Sequence, residues 1–252
     1  MYKLFLKRVV NFIRFNKPTL SVCLLLLGTI EVRAQYSLGV TGLLTIPTAD
    51  MQADGTFMGG VNFLPEAMMP SNWDYNTGNY FVNITFLPFL EVAYRCTLLH
   101  GEFEKGSKWN QDRSVSLRLR PLKERKWWPA IVVGSNDAFT TGELNMFKSA
   151  AGNRFFSSVY VVGTKHLSLG GHDLGFSLGG NIPFRKDSYR KGIFGGVGYS
   201  PAFLRPVTLM AEYNAEAVSI GAAAQLFNHF SLHAFCYDFK AVSAGIRYEF
   251  KW

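Results

Sequence analysis

The last twelve residues constrain this chain most. From Ala241 to Trp252 the even positions are Val242, Ala244, Ile246, Tyr248, Phe250 and Trp252, whereas the odd positions include Ser243, Arg247, Glu249 and Lys251. Successive side chains of a β-strand point to opposite faces, so period two sets six apolar groups against a polar, charged face. The alternation recurs upstream in Tyr80–Phe86, Leu90–Leu98, Ser114–Arg120, Val207–Asn214, Val218–Leu226 and Phe230–Cys236. Weaker versions lie near 56–64, 128–135, 155–168, 173–181 and 193–200, which brings the expectation to about twelve strands. Asn76-Thr77-Gly78, Gly170-Gly171-His172-Asp173 and the charged run Arg185–Lys191 read as turns between them. Hydrophilic stretches at 101–112, 121–127 and 136–153 are expected as loops, and no low-complexity linker divides the chain.

What the apolar faces meet is decided by composition. Charged residues make up 17% of the chain, against roughly 25% in soluble proteins. The polar faces of the strands are mostly Ser, Thr, Gly and Ala, with scattered Arg and Glu. A soluble sandwich or inward-facing barrel would carry far more charge on its outer face. Beyond the N-terminal region there is no run of about 20 apolar residues, which excludes a spanning helix there. Aromatics gather near strand ends, at Trp127, Trp128, Tyr199, Phe250 and Trp252, as interfacial girdles require. The expected fold is therefore all-β, a single transmembrane antiparallel up-and-down β-barrel of about twelve strands in contact with outer-membrane lipid. A barrel of that size is expected to be narrow and filled rather than open.

The first residues read as an export signal. Lys3, Lys7, Arg8, Arg14 and Lys17 precede an apolar core from Leu20 to Ile30, and Val32-Arg33-Ala34 supplies a cleavage site. Residues 1–34 are thus expected to be a signal peptide and 35–252 the mature barrel. A retained anchor is the alternative, but the core is too short for a spanning helix. That segment holds six Lys/Arg and one Asp/Glu, so removing it leaves 20 basic and 17 acidic residues, and the net charge falls from +8 to +3. The basic balance belongs to export and gives no support for nucleic-acid binding. Cys23 is poorly placed for lipidation, because Leu24–Leu27 follow it. Cys96 and Cys236 remain in the mature chain. An oxidising compartment would allow one disulfide, but their apolar settings favour buried or lipid-facing thiols. No cysteine–histidine spacing suggests a metal site, and no cofactor is expected.

Gly42–Met51 (GLLTIPTADM), followed by Asp54-Gly55-Thr56, resembles the opening of the YjbH family of outer-membrane proteins associated with exopolysaccharide production. Pro88–Thr97 (PFLEVAYRCT), Pro129–Gly142 (PAIVVGSNDAFTTG), Phe155–Lys165 (FFSSVYVVGTK) and Leu209–Asn214 (LMAEYN) resemble its later landmarks, in order. The resemblance implies an outer-membrane barrel, non-enzymatic, tied to exopolysaccharide production or export or to envelope assembly. Polysaccharide and envelope-complex proteins are the implied partners. Members of the family commonly run several hundred residues longer, with a second repeated region, and Arg95-Cys96-Thr97 and Ser157–Tyr160 depart locally from the pattern. The alternatives are a structural or pore-forming subunit of another outer-membrane complex and an outer-membrane lipid hydrolase.

Seven charged residues are candidates to line the lumen: Glu91, Arg95, Arg118, Arg120, Glu212, Arg247 and Glu249. Glu91 and Arg95 share a strand face but stand roughly 13 Å apart along it, so each needs a cross-strand partner. The bland reading is a self-satisfying charged ladder, and the functional one is the lining of a sugar or ion path. Asn136-Asp137 with Gly142 reads as a capped turn or a polar constriction. Pro47–Thr56 is expected to pack in or across the lumen. A catalytic site is not expected: His100, His166, His172, His229 and His233 form no metal-hydrolase spacing, and no GxSxG occurs. Ser231 beside His233 is the one nucleophile–base pairing to name.

Overall fold

The computed structural model describes residues 37–70, 73–103, 106–140, 155–184, 190–227 and 229–252. Residues 1–36, which include the expected signal peptide, lie outside them. Twelve strands run β1 Thr56–Leu64, β2 Thr77–Leu87, β3 Leu90–Phe103, β4 Gly106–Leu122, β5 Ala130–Thr140, β6 Ser158–Leu169, β7 His172–Pro183, β8 Gly192–Ser200, β9 Val207–Tyr213, β10 Val218–Leu226, β11 Phe230–Tyr237 and β12 Ala241–Lys251. Each pairs antiparallel with its chain neighbours, and β1 closes against β12, with Val61 opposite Ile246. Closure removes both free edges, which would otherwise expose a row of unpaired backbone donors and acceptors.

The alternation in the sequence is the alternation of the wall. On β12, Ser243 and Arg247 are buried inside, while Val242, Ile246, Tyr248 and Phe250 are exposed outside. The same outward belt carries Val161, Leu178 and Ile220. Exposed aromatics crowd the end of the barrel that holds the strand termini Thr56 and Lys251: Phe89, Trp127, Trp128, Phe203, Phe227 and Trp252. At that end the connections are short, as at Gly170-Gly171. The longest, residues 65–76 and 141–157, leave from the other end. Among the described residues no helix is long and apolar enough to cross a membrane, and a barrel crosses with strands instead.

Two sequence expectations are corrected here. Residues 101–112 are mostly strand, because β3 and β4 continue past the apolar belt as a paired ladder. A hairpin beyond the belt keeps its backbone bonds but has no apolar surround to enforce alternation. Asn136 and Asp137 belong to β5 rather than to a turn. Register slips there between Val115/Phe139 and Leu117/Ser135, and Asp137 takes a φ of 47°, a bulge that turns its side chain into the lumen. Gly142 lies outside the described residues. Cys96 and Cys236 are free thiols.

The lumen is filled by the chain itself. Ser37–Gln52 is almost wholly buried and packs Leu43, Leu44, Ile46 and Met51 against Val132, Tyr160, Phe194 and Met210. The insertion therefore reaches at least ten residues upstream of Pro47 and is not the side-chain filling expected for a narrow barrel. It folds on itself through Gly42 bridged to Pro47, with the Ser37 amide donating to Leu44 O and the Leu43 amide to Ile46 O.

Candidate functional site: a plugged lumen and its vestibule

A segment without regular structure inside a barrel needs partners for every buried N–H and C=O. Two carboxylates accept three of its amides. Glu91 on β3 accepts the Thr41 amide at 2.8 Å and the Thr41 hydroxyl at 2.9 Å. Glu212 on β9 accepts the Leu44 amide at 2.9 Å, the Thr45 amide at 2.6 Å and the Thr45 hydroxyl at 2.5 Å. The two threonines, four residues apart, perform the same act: each offers backbone and side-chain donors to one carboxylate. Strands β3 and β9 are six apart in a ring of twelve, so the plug spans the barrel between opposite walls.

Arginines neutralise this arrangement and capture the plug's carbonyls. Arg118 Nη1 donates to Glu91 at 2.7 Å, while its Nη2 donates to Thr48 O and, at 3.0 Å, to Asp50 O. Arg190 donates to Thr45 O at 3.0 Å. Asn83 donates to Glu91 at 2.6 Å and to Gly39 O at 2.9 Å, and Asn79 donates to Ser37 O. The Ala49 amide donates to Thr164 Oγ1 at 2.7 Å. Beside the plug, Arg95 reaches Asp137 at 2.7 and 2.9 Å and lies over the Phe156 ring, 4.5 Å from its centre.

The seven candidates thus separate. Glu91, Arg95, Arg118, Glu212 and Arg247 are buried on the lumen side. Glu249 is half-buried on the same face of β12 as Arg247. Arg120 departs from the expectation: it lies at the rim, where it donates to Pro88 O and lines an open vestibule. No single ladder joins the seven, because the plug interrupts them. Asn83 and Arg190 were not among the site candidates, Arg190 being read as part of a charged loop, and Asp137 was named only as a capped turn or polar constriction, without its partner Arg95. The bulge turns Asp137 inward, whereas Asn83 faces the lumen through the regular alternation of β2. Among the fully buried charges, Glu91, Asp112, Asp137 and Glu212 are matched in number by Arg95, Arg118, Arg190 and Arg247.

Ser231 and His233 make no hydrogen bond with each other among the described residues, and the His233 ring lies against Phe235, with 6.2 Å between ring centres. No cluster of metal-ligating side chains occurs among the described residues.

The vestibule opens at the end with the strand termini. Its volume is about 590 Å³, its floor is formed by Thr41–Leu43, Thr48 and Asp50 of the plug, and its walls come from the ends of β4–β9. On one side Glu124 accepts Lys165 Nζ at 2.8 Å, the His166 amide at 2.9 Å and His166 Nδ1 at 2.7 Å. Burial alone would raise the Glu124 carboxyl, but these bonds together hold it below its ordinary range. The other face of His166 stands 3.6 Å from Asp50 of the plug.

These features define a closed twelve-stranded barrel plugged by its own N-terminal segment. The chain belongs to the YjbH family: residues 34–184, more than half of its length, match the family model described as "Exopolysaccharide biosynthesis protein YbjH". It is also 26% identical over 218 residues to "Uncharacterized lipoprotein YjbH" of Escherichia coli (strain K12), an alignment covering 71% of this chain and 28% of that relative. The matched residues include the plug and the strands β1–β7 that carry Glu91, Arg95, Arg118 and Asp137.

Proposed function

We propose that the protein is a non-enzymatic component of the outer membrane that serves exopolysaccharide production or export. The observation that carries this reading is a closed barrel with an apolar outer belt and a self-plugged lumen, in a family described by exopolysaccharide biosynthesis. Short connections at the end bearing the termini and longer ones opposite fit a periplasmic and an extracellular end, respectively. The signal peptide is read as cleaved after Ala34. The E. coli relative is named a lipoprotein, but Leu24–Leu27 follow Cys23 here, so no lipid is assigned to it. Intact mass decides this: a mature chain starting at Gln35 is expected, and a lipidated Cys23 would overturn it.

Deleting the gene is expected to lower secreted polysaccharide, with restoration by the wild-type chain; an unchanged yield would defeat the role. The membrane setting is tested by single cysteines at 246 and 247 in a background lacking Cys96 and Cys236. A water-soluble reagent that labels both equally would defeat it. A hydrolase built on Ser231 and His233 is disfavoured by their missing bond, so Ser231→Ala and His233→Ala should leave polysaccharide yield unchanged.

A further inference from the structure

The vestibule has the chemistry of a binding site, and we infer that it takes an acidic oligosaccharide, one that carries carboxylates among its hydroxyls. This rests on the exopolysaccharide reading and adds to it a place and a ligand class. The volume of about 590 Å³ falls inside the range of small-ligand sites, about 300–1,000 Å³.

Charge on the lining balances, with Asp50, Glu124 and Asp173 against Arg120, Lys123 and Arg205, but the acids already hold hydrogen-bond donors while two of the cations have no acid partner among the described residues. Each acid on the lining already has donors: Glu124 holds Lys165 and His166, Asp173 accepts Ser168 Oγ at 2.5 Å, and Asp50 accepts Thr48 Oγ1 at 2.9 Å. Lys123, from the β4–β5 connection, and Arg205, from the β8–β9 connection, form no ion pair among the described residues and stay exposed at the mouth. Deeper in, hydroxyls meet in pairs, Thr164 with Ser177 at 2.9 Å and Ser200 with Thr208 at 2.8 Å. A hydroxyl has one proton and two lone pairs, so each pair keeps capacity for a further partner. Polyols use that capacity, whereas an apolar ligand would strand it. Cations at the mouth and hydroxyls inside thus match the two functional groups of a uronic-acid chain.

Isothermal titration of the full-length barrel in detergent with trigalacturonate tests this, with maltotriose as the neutral probe. Saturable binding of trigalacturonate is expected, weakened by salt and at least about tenfold tighter than maltotriose. Lys123→Gln with Arg205→Gln should weaken it by about tenfold or more. Lys240→Gln, which removes a charge at the opposite end, should leave it unchanged. Both altered mouth residues are exposed, and heat-modifiable gel migration verifies that the barrel is folded; Arg205→Glu is the second variant should the double one not insert. No saturable binding, equal binding of maltotriose, or an unchanged constant in the folded double variant overturns the site. The broader reading fails separately: normal polysaccharide yield on deletion, with binding intact, defeats the exopolysaccharide role and leaves the vestibule site standing.

Discussion

Two parts of the barrel wall hold the same plug by different means. Strands β2–β5 turn Asn83, Glu91, Arg95, Arg118 and Asp137 into the lumen, and the plug is bonded to this side atom by atom. Strand β8 turns Gly196 and Gly198 inward, and Leu43 of the plug is seated where their side chains are missing. A Cβ on Gly196 would stand 2.7 Å from Leu43 Cδ1 and 2.8 Å from Glu212 Cβ, too close for either to remain in place. On Gly198 the nearest contact would be an ordinary 3.5 Å. The β2–β5 side specifies the plug through charge, and the β8 side adds volume to the bonds of Glu212 on the adjoining β9. A buried ion pair is costly to halve, and a close-packed groove is costly to overfill, so the two walls predict different losses.

The largest loss is expected on the charged wall. Arg118→Ala leaves Glu91 without its cation and frees two plug carbonyls, and should destabilise the barrel by about 3–5 kcal/mol. Urea unfolding in lipid vesicles measures this, and a change below about 1 kcal/mol would mean that the pair is solvated in the native protein. Gly196→Val comes next, at about 1–3 kcal/mol from overpacking. Combining it with Leu43→Ala should cost less than the sum of the two single changes; strict additivity would show that Leu43 is not the atom displaced. Thr164→Val removes the acceptor of the Ala49 amide and should cost about 1–2 kcal/mol by the same measurement. A silent substitution would mean that Ala49 finds water instead.

The smallest effect is at the rim. Glu124 has a folded-state pKa below its ordinary value, so it stays ionised where the unfolded group takes up a proton. Its stabilisation is complete above the ordinary carboxylate range and is lost as pH falls through the lower folded value. Glu124→Gln should therefore lower stability by less than about 1 kcal/mol at neutral pH, and the difference should shrink as pH falls through the carboxylate's folded-state value. A loss that does not change with pH would trace it to hydrogen-bond geometry rather than to charge.

The twelve strands and their faces could be read in the sequence because side-chain alternation is a local property of extended backbone. Ile246 and Arg247 needed only their neighbours to be sent to opposite faces. Glu91, Arg95, Arg118 and Glu212 were legible as inward charges for the same reason, although their partners were not. Arg95 meets an acid forty-two residues away only because β5 bulges at Asp137, and a single left-handed residue leaves no periodic trace. The hairpin at 101–112 was misread because alternation fades outside the apolar belt while backbone pairing continues. The plug was the least legible part. Residues 37–52 have no period, and their polar backbone is satisfied by side chains 50 and 168 positions away in the chain, on β3 and β9. Local sequence determined which residues face inward; closing the ring determined what they hold, because closure alone brings opposite walls within hydrogen-bond reach of one segment.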